Sequence, residues 1–431
     1  MADVPSQTTS NARTAVAAGF LGWTFDAFDF FVLAFVLPAV AQDFGQSVPA
    51  VALTTTATLA TRPIGAFIFG LLADRYGRRA ILMANIAFYS LMEVLSGLAS
   101  GYSTFLLLRA LYGIGMGGNW GVGASLVLES VPAKWRGLAS GLLQQGYAFG
   151  YLLAAGAFYT VFPSWGWRAM FFVGVIPAVV TLFLCARVRE SEAWHQARTD
   201  WSTYRSTILG NMRRFLYLVL LMSMMNFISH GTQDMYPTYL QRQLHYGVTD
   251  TAIATAVSMF GAIVGGLMVG HLSDRRGRRR SMILAALGAL CVIPLWVFAP
   301  NFPLVLVGAF LMQFMVQGAW GVIPAHINEL SPPQARGFFP GFAYQTGVLI
   351  ASSIGYIEAL LGEHFSYATA MGGLAATIFL AGSIVIWAGP EAKGVSFMMN
   401  AGASEGMSRH RIRAKDEIPL ETGSKGSTQT D

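Results

Sequence analysis

Charge is what this sequence has least of. Asp, Glu, Lys and Arg make up 12% of its 431 residues while 54% are hydrophobic, roughly half the charged share of an ordinary soluble domain. The mean hydropathy of +0.51 excludes a soluble globular class and points to an integral membrane protein. Cysteine is nearly absent. Cys185 and Cys291 both lie in apolar stretches, which excludes a disulfide framework, a CxxC redox pair and a cysteine zinc site. No metal-ligand cluster, nucleophile or phosphate loop is evident, so no cofactor or metal is expected and an enzyme is the least favoured class. Gly113, Gly115 and Gly118 do fit G-x-G-x-x-G, but that fingerprint needs a preceding strand. Here the glycines sit inside an apolar helix, where they let helices approach closely. Residues 1 to 15 are polar with no short apolar run leading to a cleavage site, so no signal peptide is expected.

Long apolar runs are abundant. Stretches of about 20 residues, enough to cross the hydrocarbon as helices, fall near 17–40, 50–73, 80–99, 103–128, 137–161 and 167–187, then near 214–240, 250–272, 281–299, 302–327, 337–361 and 366–389. The expected fold is an all-α membrane protein with twelve transmembrane helices. Of the 28 Lys and Arg residues, only Arg168 and Arg242 fall in loops of one parity, while Arg75, Arg78, Arg79, Lys134, Arg136, the run from Arg187 to Arg214, Arg275 to Arg280, Arg336 and Lys393 to Lys425 fall in the other. Basic residues stay in short cytoplasmic loops, so both termini are expected to be cytoplasmic in a multi-pass plasma (inner) membrane protein. The net charge of +6 is then a topology signal with some attraction to the lipid bilayer, and no nucleic-acid partner is expected.

The chain is also written twice. Gly70-Leu-Leu-Ala-Asp74-Arg-Tyr-Gly77-Arg78-Arg79 returns as Gly270-His-Leu-Ser-Asp274-Arg-Arg-Gly277-Arg278-Arg279, an offset of 200 residues. At the same offset Glu129 and Arg136 return as Glu329 and Arg336, Trp120-Gly121-Val122 as Trp320-Gly321-Val322, and Gln145 as Gln345. This register predicts two pseudo-symmetric six-helix bundles. The expected divisions are a cytoplasmic N-terminal segment 1–15, an N-terminal bundle 16–187, a cytoplasmic linker 188–213, a C-terminal bundle 214–389 and a cytoplasmic tail 390–431. Trp194, Trp201, Tyr204 and Ile208 among the linker's charges fit either a short helix lying on the membrane surface or a plain connection. From Met399 onward the composition predicts disorder.

The repeated G-x-L-x-D-R-x-G-R-R loop, between the second and third span of each half, resembles the major facilitator superfamily, and the likeness covers residues 15–390. The resemblance implies a gate in which the loop's Asp and Arg, with the Glu and Arg around the loop after the fourth span, make interdomain charge contacts. Here these are Asp74, Arg78, Glu129 and Arg136, repeated as Asp274, Arg278, Glu329 and Arg336. Physically, partly desolvated ion pairs between two bodies can bias a two-state equilibrium. A charge cluster serving topology alone is the other reading.

Polar residues inside the spans narrow the cargo. Arg62 in the second span and Arg109 in the fourth face Ala262 and Ala309 at the repeat-related positions, so these charges belong to one half only. A buried guanidinium is expensive and matches a carboxylate, so both are candidate substrate anchors, with Arg109 ranked first. A fixed ion pair with Asp26 or Asp29 is the alternative. These two carboxylates, three residues apart on the first span, lie about 60° apart around the helix. Near an Arg that a substrate can take over, each could carry the coupled proton. Gln145 and Gln345 are candidate pore-lining amides or helix–helix hydrogen bonders. Tyr147, Tyr344, Trp120 and Trp320 either close the cavity or pack. Glu358 is assigned to the outer vestibule, and Glu93 to a structural partner.

In the seventh span Asn226, His230, Gln233 and Asp234 fall within about 100° of one another, a polar stripe suited to a central cavity. The run Asn226-x-x-Ser229-His230-x-Thr232-Gln233-Asp234-x-x-x-Thr238 is similar to a signature of fungal lactate and pyruvate permeases and their bacterial relatives in the sialate:proton symporter group. The resemblance implies proton-coupled symport of short-chain monocarboxylates by alternating access. Arg109, Arg62, Asn226, His230, Gln233, Gln145 and Gln345 would bind the small organic anion, and Asp26, Asp29, Asp234 and His230 would handle protons. Another monocarboxylate group carries an Arg in the eighth span, where residues 250–270 hold only Asp250. Symport of sialate, an aromatic acid or a dicarboxylate is the rival within transport, and a non-transporting membrane sensor is the rival of another class.

Overall fold

The computed structural model describes residues 4–198, 200–354, 357, 361 and 364–397. Its first half contains α1 (Val4–Asp43), α2 (Val48–Tyr76), α3 (Arg78–Gly97), α4 (Tyr102–Ser130), α5 (Arg136–Thr160) and a sixth span made of α6 (Phe162–Val173) and α7 (Val175–Arg187). Two short helices, α8 (Glu192–Ala197) and α9 (Trp201–Gly210), form the connection. The second half contains α10 (Met212–Gln233) with α11 (Tyr236–Arg242), then α12 (Val248–Arg276), α13 (Arg278–Val297), α14 (Phe302–Leu330), α15 (Phe339–Ala351) and α16 (Tyr367–Ala388). The protein is an all-α membrane protein of twelve transmembrane helices in two six-helix bundles.

Local sequence sets the helix ends. Gly77 and Gly277 adopt φ of 120° and 99°, which side chains seldom tolerate. Each therefore ends one helix while the next starts at the following residue, so every D-R-x-G-R-R loop is a single-glycine corner. Elsewhere side chains cap free amides: Ser366 Oγ accepts from Thr369 N–H at 3.2 Å and Asn301 Oδ1 from Leu304 N–H at 3.1 Å.

Nine helices among the described residues are long and apolar enough to cross a membrane on that measure alone. α4 and α5 fall short of it, and α15 is described over 13 residues only. α4 is buried along most of its length and carries six glycines between Gly113 and Gly123, so it faces other helices and needs less hydrophobicity than a lipid-facing span. At Gly341 an added Cβ would stand 3.1 Å from the Cα of Gly121, so α4 and α15 of opposite halves cross almost backbone to backbone. The outer faces expose Leu53, Ile64, Phe260, Ile384 and Trp387, as a lipid-contacting surface does. Of the tryptophans and tyrosine in the connection, Trp194 and Tyr204 are buried and Trp201 is exposed. It is thus no flat surface helix: α8 and α9 pack beneath the junction of the two halves.

Candidate functional site

A cavity of about 350 Å³ lies between the halves. α1 presents Trp23, Phe30 and Phe31 to it, α2 presents Leu59 and Arg62, and α5 presents Gln144 and Tyr147. The second half answers with Asn226, Ser229, His230, Gln233 and Asp234 at the end of α10, Gln317 and Trp320 of α14, and Tyr344 of α15. The aromatic rings form a connected wall: Trp23 stacks on Tyr147 at 6.0 Å, Phe31 meets Tyr147 at 5.1 Å, and Trp320 meets Tyr344 at 5.8 Å between centroids. The His230 and Asp234 side chains are 38% and 46% exposed and sit 3.2 Å apart. The cavity therefore opens at the end of α10 remote from the D-R-x-G-R-R loops.

The two arginines have different surroundings. Arg62 is 5% exposed, and its guanidinium carbon is 5.9 Å from the Tyr344 ring centroid. Its Nε and Nη2 have no hydrogen-bond partner among the described residues. Arg109 lies away from the cavity, between α3 and α4. Its Nη2 reaches Glu93 Oε2 at 2.6 Å and Ser96 Oγ at 2.8 Å, and its guanidinium covers Tyr112 at 4.3 Å. The pair partner is thus Glu93, and neither Asp26 nor Asp29. A guanidinium so held has its hydrogen bonds taken up inside the first bundle, whereas Arg62 lines the cavity.

Around α1, Asp26 and Asp29 sit about 60° and 120° from Trp23, so they turn from the cavity into the first bundle. Both are buried. Asp26 has Arg62, Asn119 and Glu93 as neighbours, and Asp29 has Glu93, Asp26 and Arg109. Three carboxylates and two guanidiniums thus share one bundle interior. Both oxygens of Asp26 and Oδ1 of Asp29 lack a hydrogen-bond partner among the described residues.

The α10 stripe does reach the cavity with Asn226, His230, Gln233 and Asp234. Gln233 Nε2 donates to Gln313 Oε1 at 2.8 Å and Gln317 Nε2 to Ser229 Oγ at 3.3 Å. Gln145 and Gln345 are placed elsewhere: Gln345 Nε2 reaches Gly117 O at 3.5 Å, and Gln145 lies against Gly266. Both fill helix crossings between halves, and the neighbouring Gln144 takes the wall position. Trp120 also stands behind the wall, donating to Gln144 Oε1 at 3.3 Å. Glu358 lies outside the described residues, as does the tail from Met399 onward.

At the basic end the halves are closed on each other. Arg78 pairs with Asp74 and, at 3.4 Å, with Glu129. Arg278 pairs with Asp274 and Glu329, each at 2.9 Å. All of these lie within one half, and the contact from Arg136 to Glu329 at 3.9 Å crosses between halves. Carboxylate-to-amide bonds make the stronger crossing. Asp74 accepts from Gly337 N–H at 2.7 Å and Phe338 N–H at 3.0 Å, and Asp274 accepts from Gly137 N–H at 2.8 Å and Leu138 N–H at 3.1 Å. Each Asp thereby caps the start of a helix of the opposite half, Asp274 at the first turn of α5 and Asp74 at the turn leading into α15, where free amides and the helix dipole favour an anion. The adjacent Arg pairs with the carboxylate and aims it. Charge contacts between domains were expected here and Arg136 to Glu329 is one, while helix capping between domains adds a crossing outside that expectation. Trp194 Nε1 also donates to the Asp74 backbone carbonyl and Tyr204 Oη to the Asp74 carboxylate, each at 2.8 Å. Burial and the Asp74 carboxylate hold the Tyr204 hydroxyl in its protonated form, with its titration pushed upward.

Several gate residues were missed in the sequence reading. Glu190 accepts from Arg78 and Arg79 N–H at 3.1 and 3.0 Å, and Glu391 from Arg278 and Arg279 N–H at 3.2 and 3.1 Å. Burial pushes the Glu391 carboxyl up, but the amides of Arg279, Arg278 and Lys393 hold it below its ordinary range. Their spacing of 201 residues was the available signal. Phe397 carried none: its ring lies 3.4 Å from the Arg136 guanidinium and 3.9 Å from that of Arg336, bridging the halves.

The Major Facilitator Superfamily profile matches residues 19–248 and 219–396. The chain is 31% identical over 390 residues to a probable 4-methylmuconolactone transporter of Cupriavidus pinatubonensis, covering 88% of this chain and 90% of that one. It is 28% identical over 344 residues to the sialic acid transporter NanX of Escherichia coli, covering 78% and 84%. The solved structure of the proton:xylose symporter XylE with 6-bromo-6-deoxy-D-glucose shares the fold at a TM-score of 0.76 and 18% identity, over 90% of this chain and 98% of that one. The duplicated bundles, the paired gate and these likenesses place the chain in the major facilitator superfamily, as a membrane transporter and not an enzyme.

Proposed function

We propose that this protein carries an organic anion across the plasma (inner) membrane together with protons, by alternating access, with Arg62 as the carboxylate anchor. The observation that carries the reading is a buried guanidinium on the cavity wall with two nitrogens lacking a hydrogen-bond partner. Such a donor pair is costly unless a ligand supplies acceptors. The 4-methylmuconolactone and sialic acid transporters among its relatives support an organic substrate bearing an acid or lactone group, and the proton:xylose symporter is a precedent for proton coupling in the same fold.

The cavity favours a larger acid than lactate. Its volume of about 350 Å³ equals roughly a dozen water volumes at ~30 Å³ each, near the lower end of the range for small-molecule sites. A ring or a conjugated chain would lie flat against Trp23, Tyr147, Trp320 and Tyr344, with amides from Asn226, Gln233 and Gln317 reaching its polar end. When the substrate carboxylate engages Arg62, Asp26 loses part of its cationic partner and takes up a proton. Asp29, Glu93 and Arg109 hold the rest of the charge balance, and His230 with Asp234 admits protons at the mouth. The basic end is then cytoplasmic, and the structure is the form closed to the cytoplasm. Loading with both substrate and proton removes net charge from the cavity, and the two Asp caps at the gate release as the halves rock.

Lactate or pyruvate is the second reading, favoured by the α10 signature lying on the cavity wall. The deciding experiment is uptake into proteoliposomes with an alkaline interior, comparing radiolabelled lactate, benzoate and cis,cis-muconate, with and without a protonophore. Gradient-dependent uptake of a ring or conjugated acid, abolished by Arg62→Gln, is expected. Lactate uptake alone would favour the second reading, and uptake indifferent to the pH gradient would remove proton coupling.

A further inference from the structure

A second cavity has no part in the transport path. Where α10 begins beside the end of α16, a groove of about 550 Å³ is lined by Asn211, Arg213, Arg214 and Tyr217 on one side and by Gly389 and Pro390 on the other. Arg213 is exposed and makes no hydrogen bond or ion pair among the described residues. Arg214 spends one nitrogen on Leu330 O at 3.4 Å. The Tyr217 hydroxyl is buried with no hydrogen-bond partner among the described residues. Gly389 packs so close to that hydroxyl that a side chain there would displace it. The Asn211 side chain does not cap α10, turning back to Thr207 O at 2.8 Å instead, so the first-turn amides add positive potential. The nearby Glu391 carboxylate is engaged by the amides of Arg278 and Arg279.

Duplication supplies an internal control. At the related place in the first half Asn11 and Arg13 are present, but Thr14 replaces Arg214, Ala17 replaces Tyr217 and, in the 201-residue spacing of Glu190 and Glu391, Val188 replaces Gly389 and Arg189 replaces Pro390. There the Arg189 N–H donates to Asn11 Oδ1 at 2.9 Å. The extra guanidinium, the phenol and the opening glycine thus belong to the second half alone. Around the groove Leu209, Leu216, Ile384 and Trp387 are exposed, continuous with the lipid-facing surface.

We propose that this groove binds the headgroup of an anionic phospholipid, its phosphodiester on Arg213 and Arg214 with the Tyr217 hydroxyl as a third donor and its acyl chains along Leu216, Ile384 and Trp387. Paired guanidiniums match phosphate oxygens geometrically, and basic pockets between spans at the inner face are suited to such headgroups. The apolar rim selects a lipid over a free phosphate ion. Native mass spectrometry of the full-length protein, titrated with phosphatidylglycerol, with phosphatidylcholine and with inorganic phosphate alone, tests it. Wild type should retain one phosphatidylglycerol at about tenfold lower concentration than phosphatidylcholine. Arg213→Gln/Arg214→Gln should lose that preference and Tyr217→Phe should reduce it, whereas the equally charged control Arg205→Gln/Arg276→Gln should keep it. All four positions in the paired variants are exposed, and uptake assays confirm folding. Equal phosphatidylglycerol retention by wild type and the Arg213/Arg214 variant would overturn the site. An equal loss in the control would reduce it to diffuse charge, and saturation by inorganic phosphate alone would make it a free-anion site.

Discussion

The gate and the cavity wall come from the same duplication and have diverged to different extents. At the gate, Asp74 and Asp274 each accept two amides from the opposite half, at 2.7 to 3.1 Å, and Glu190 and Glu391 repeat each other's capping. In the cavity, Arg62 has Ala262 as its counterpart, and Asn226 and His230 have Asp26 and Phe30. A gate between two pseudo-symmetric bodies must close equally on both sides, so both copies of its chemistry stay useful. A substrate has no such symmetry. At the cavity, one half therefore holds buried charge, and the other presents amides and an exposed His–Asp pair.

Breaking the charge set of the first half tests this contrast most severely. Arg109→Met strands Glu93 and Asp29 in the bundle, and removal of one partner from a buried pair typically costs about 3–5 kcal/mol. We expect little folded protein by fluorescence-detected size exclusion, with recovery in Arg109→Met/Glu93→Leu. Should that double variant fold but fail to transport while binding no substrate, Arg109 would regain the anchor role. Arg62→Met should leave folding intact and lower kcat/KM for uptake at least ~30-fold, the equivalent of about 2 kcal/mol. Placing the charge in the other half, Arg62→Ala/Ala262→Arg, should not restore it.

The gate should respond symmetrically. Asp74→Asn and Asp274→Asn each weaken two charged hydrogen bonds, of a kind worth ~1.5–3 kcal/mol apiece before compensation. Both variants should shift cysteine accessibility at the cavity wall toward labelling from the cytoplasmic side, to within about threefold of each other. A large effect from one alone would show that the duplicate gates are unequal. The smallest effect is expected from Phe397→Ala, which removes a ring shared by Arg136 and Arg336. A loss of about 0.5–2 kcal/mol would speed opening severalfold in the same labelling assay, with substrate affinity unchanged.

Some of this was legible in the chain. The 200-residue register names both D-R-x-G-R-R corners because Gly77 and Gly277 are needed by backbone geometry wherever the fold places them. The α10 stripe was legible because a helix converts spacing into direction, so Asn226, His230, Gln233 and Asp234 had to share a face. Gln144 and Gln145 show the limit: adjacent residues point about 100° apart, and only the neighbouring helices decide which one meets the cavity.

By itself, then, the sequence determined the membrane class, the duplication, the spans and the glycine corners, all of which follow from composition and local periodicity along one chain. Tertiary structure alone decided which arginine lost its partner, that each gate aspartate caps a helix of the opposite half, and that Phe397 lies between Arg136 and Arg336. Those outcomes depend on side chains meeting across tens to hundreds of residues. Whether a buried charge is neutralised is a property of the space it enters, and spacing along one helix does not encode what another helix brings to it.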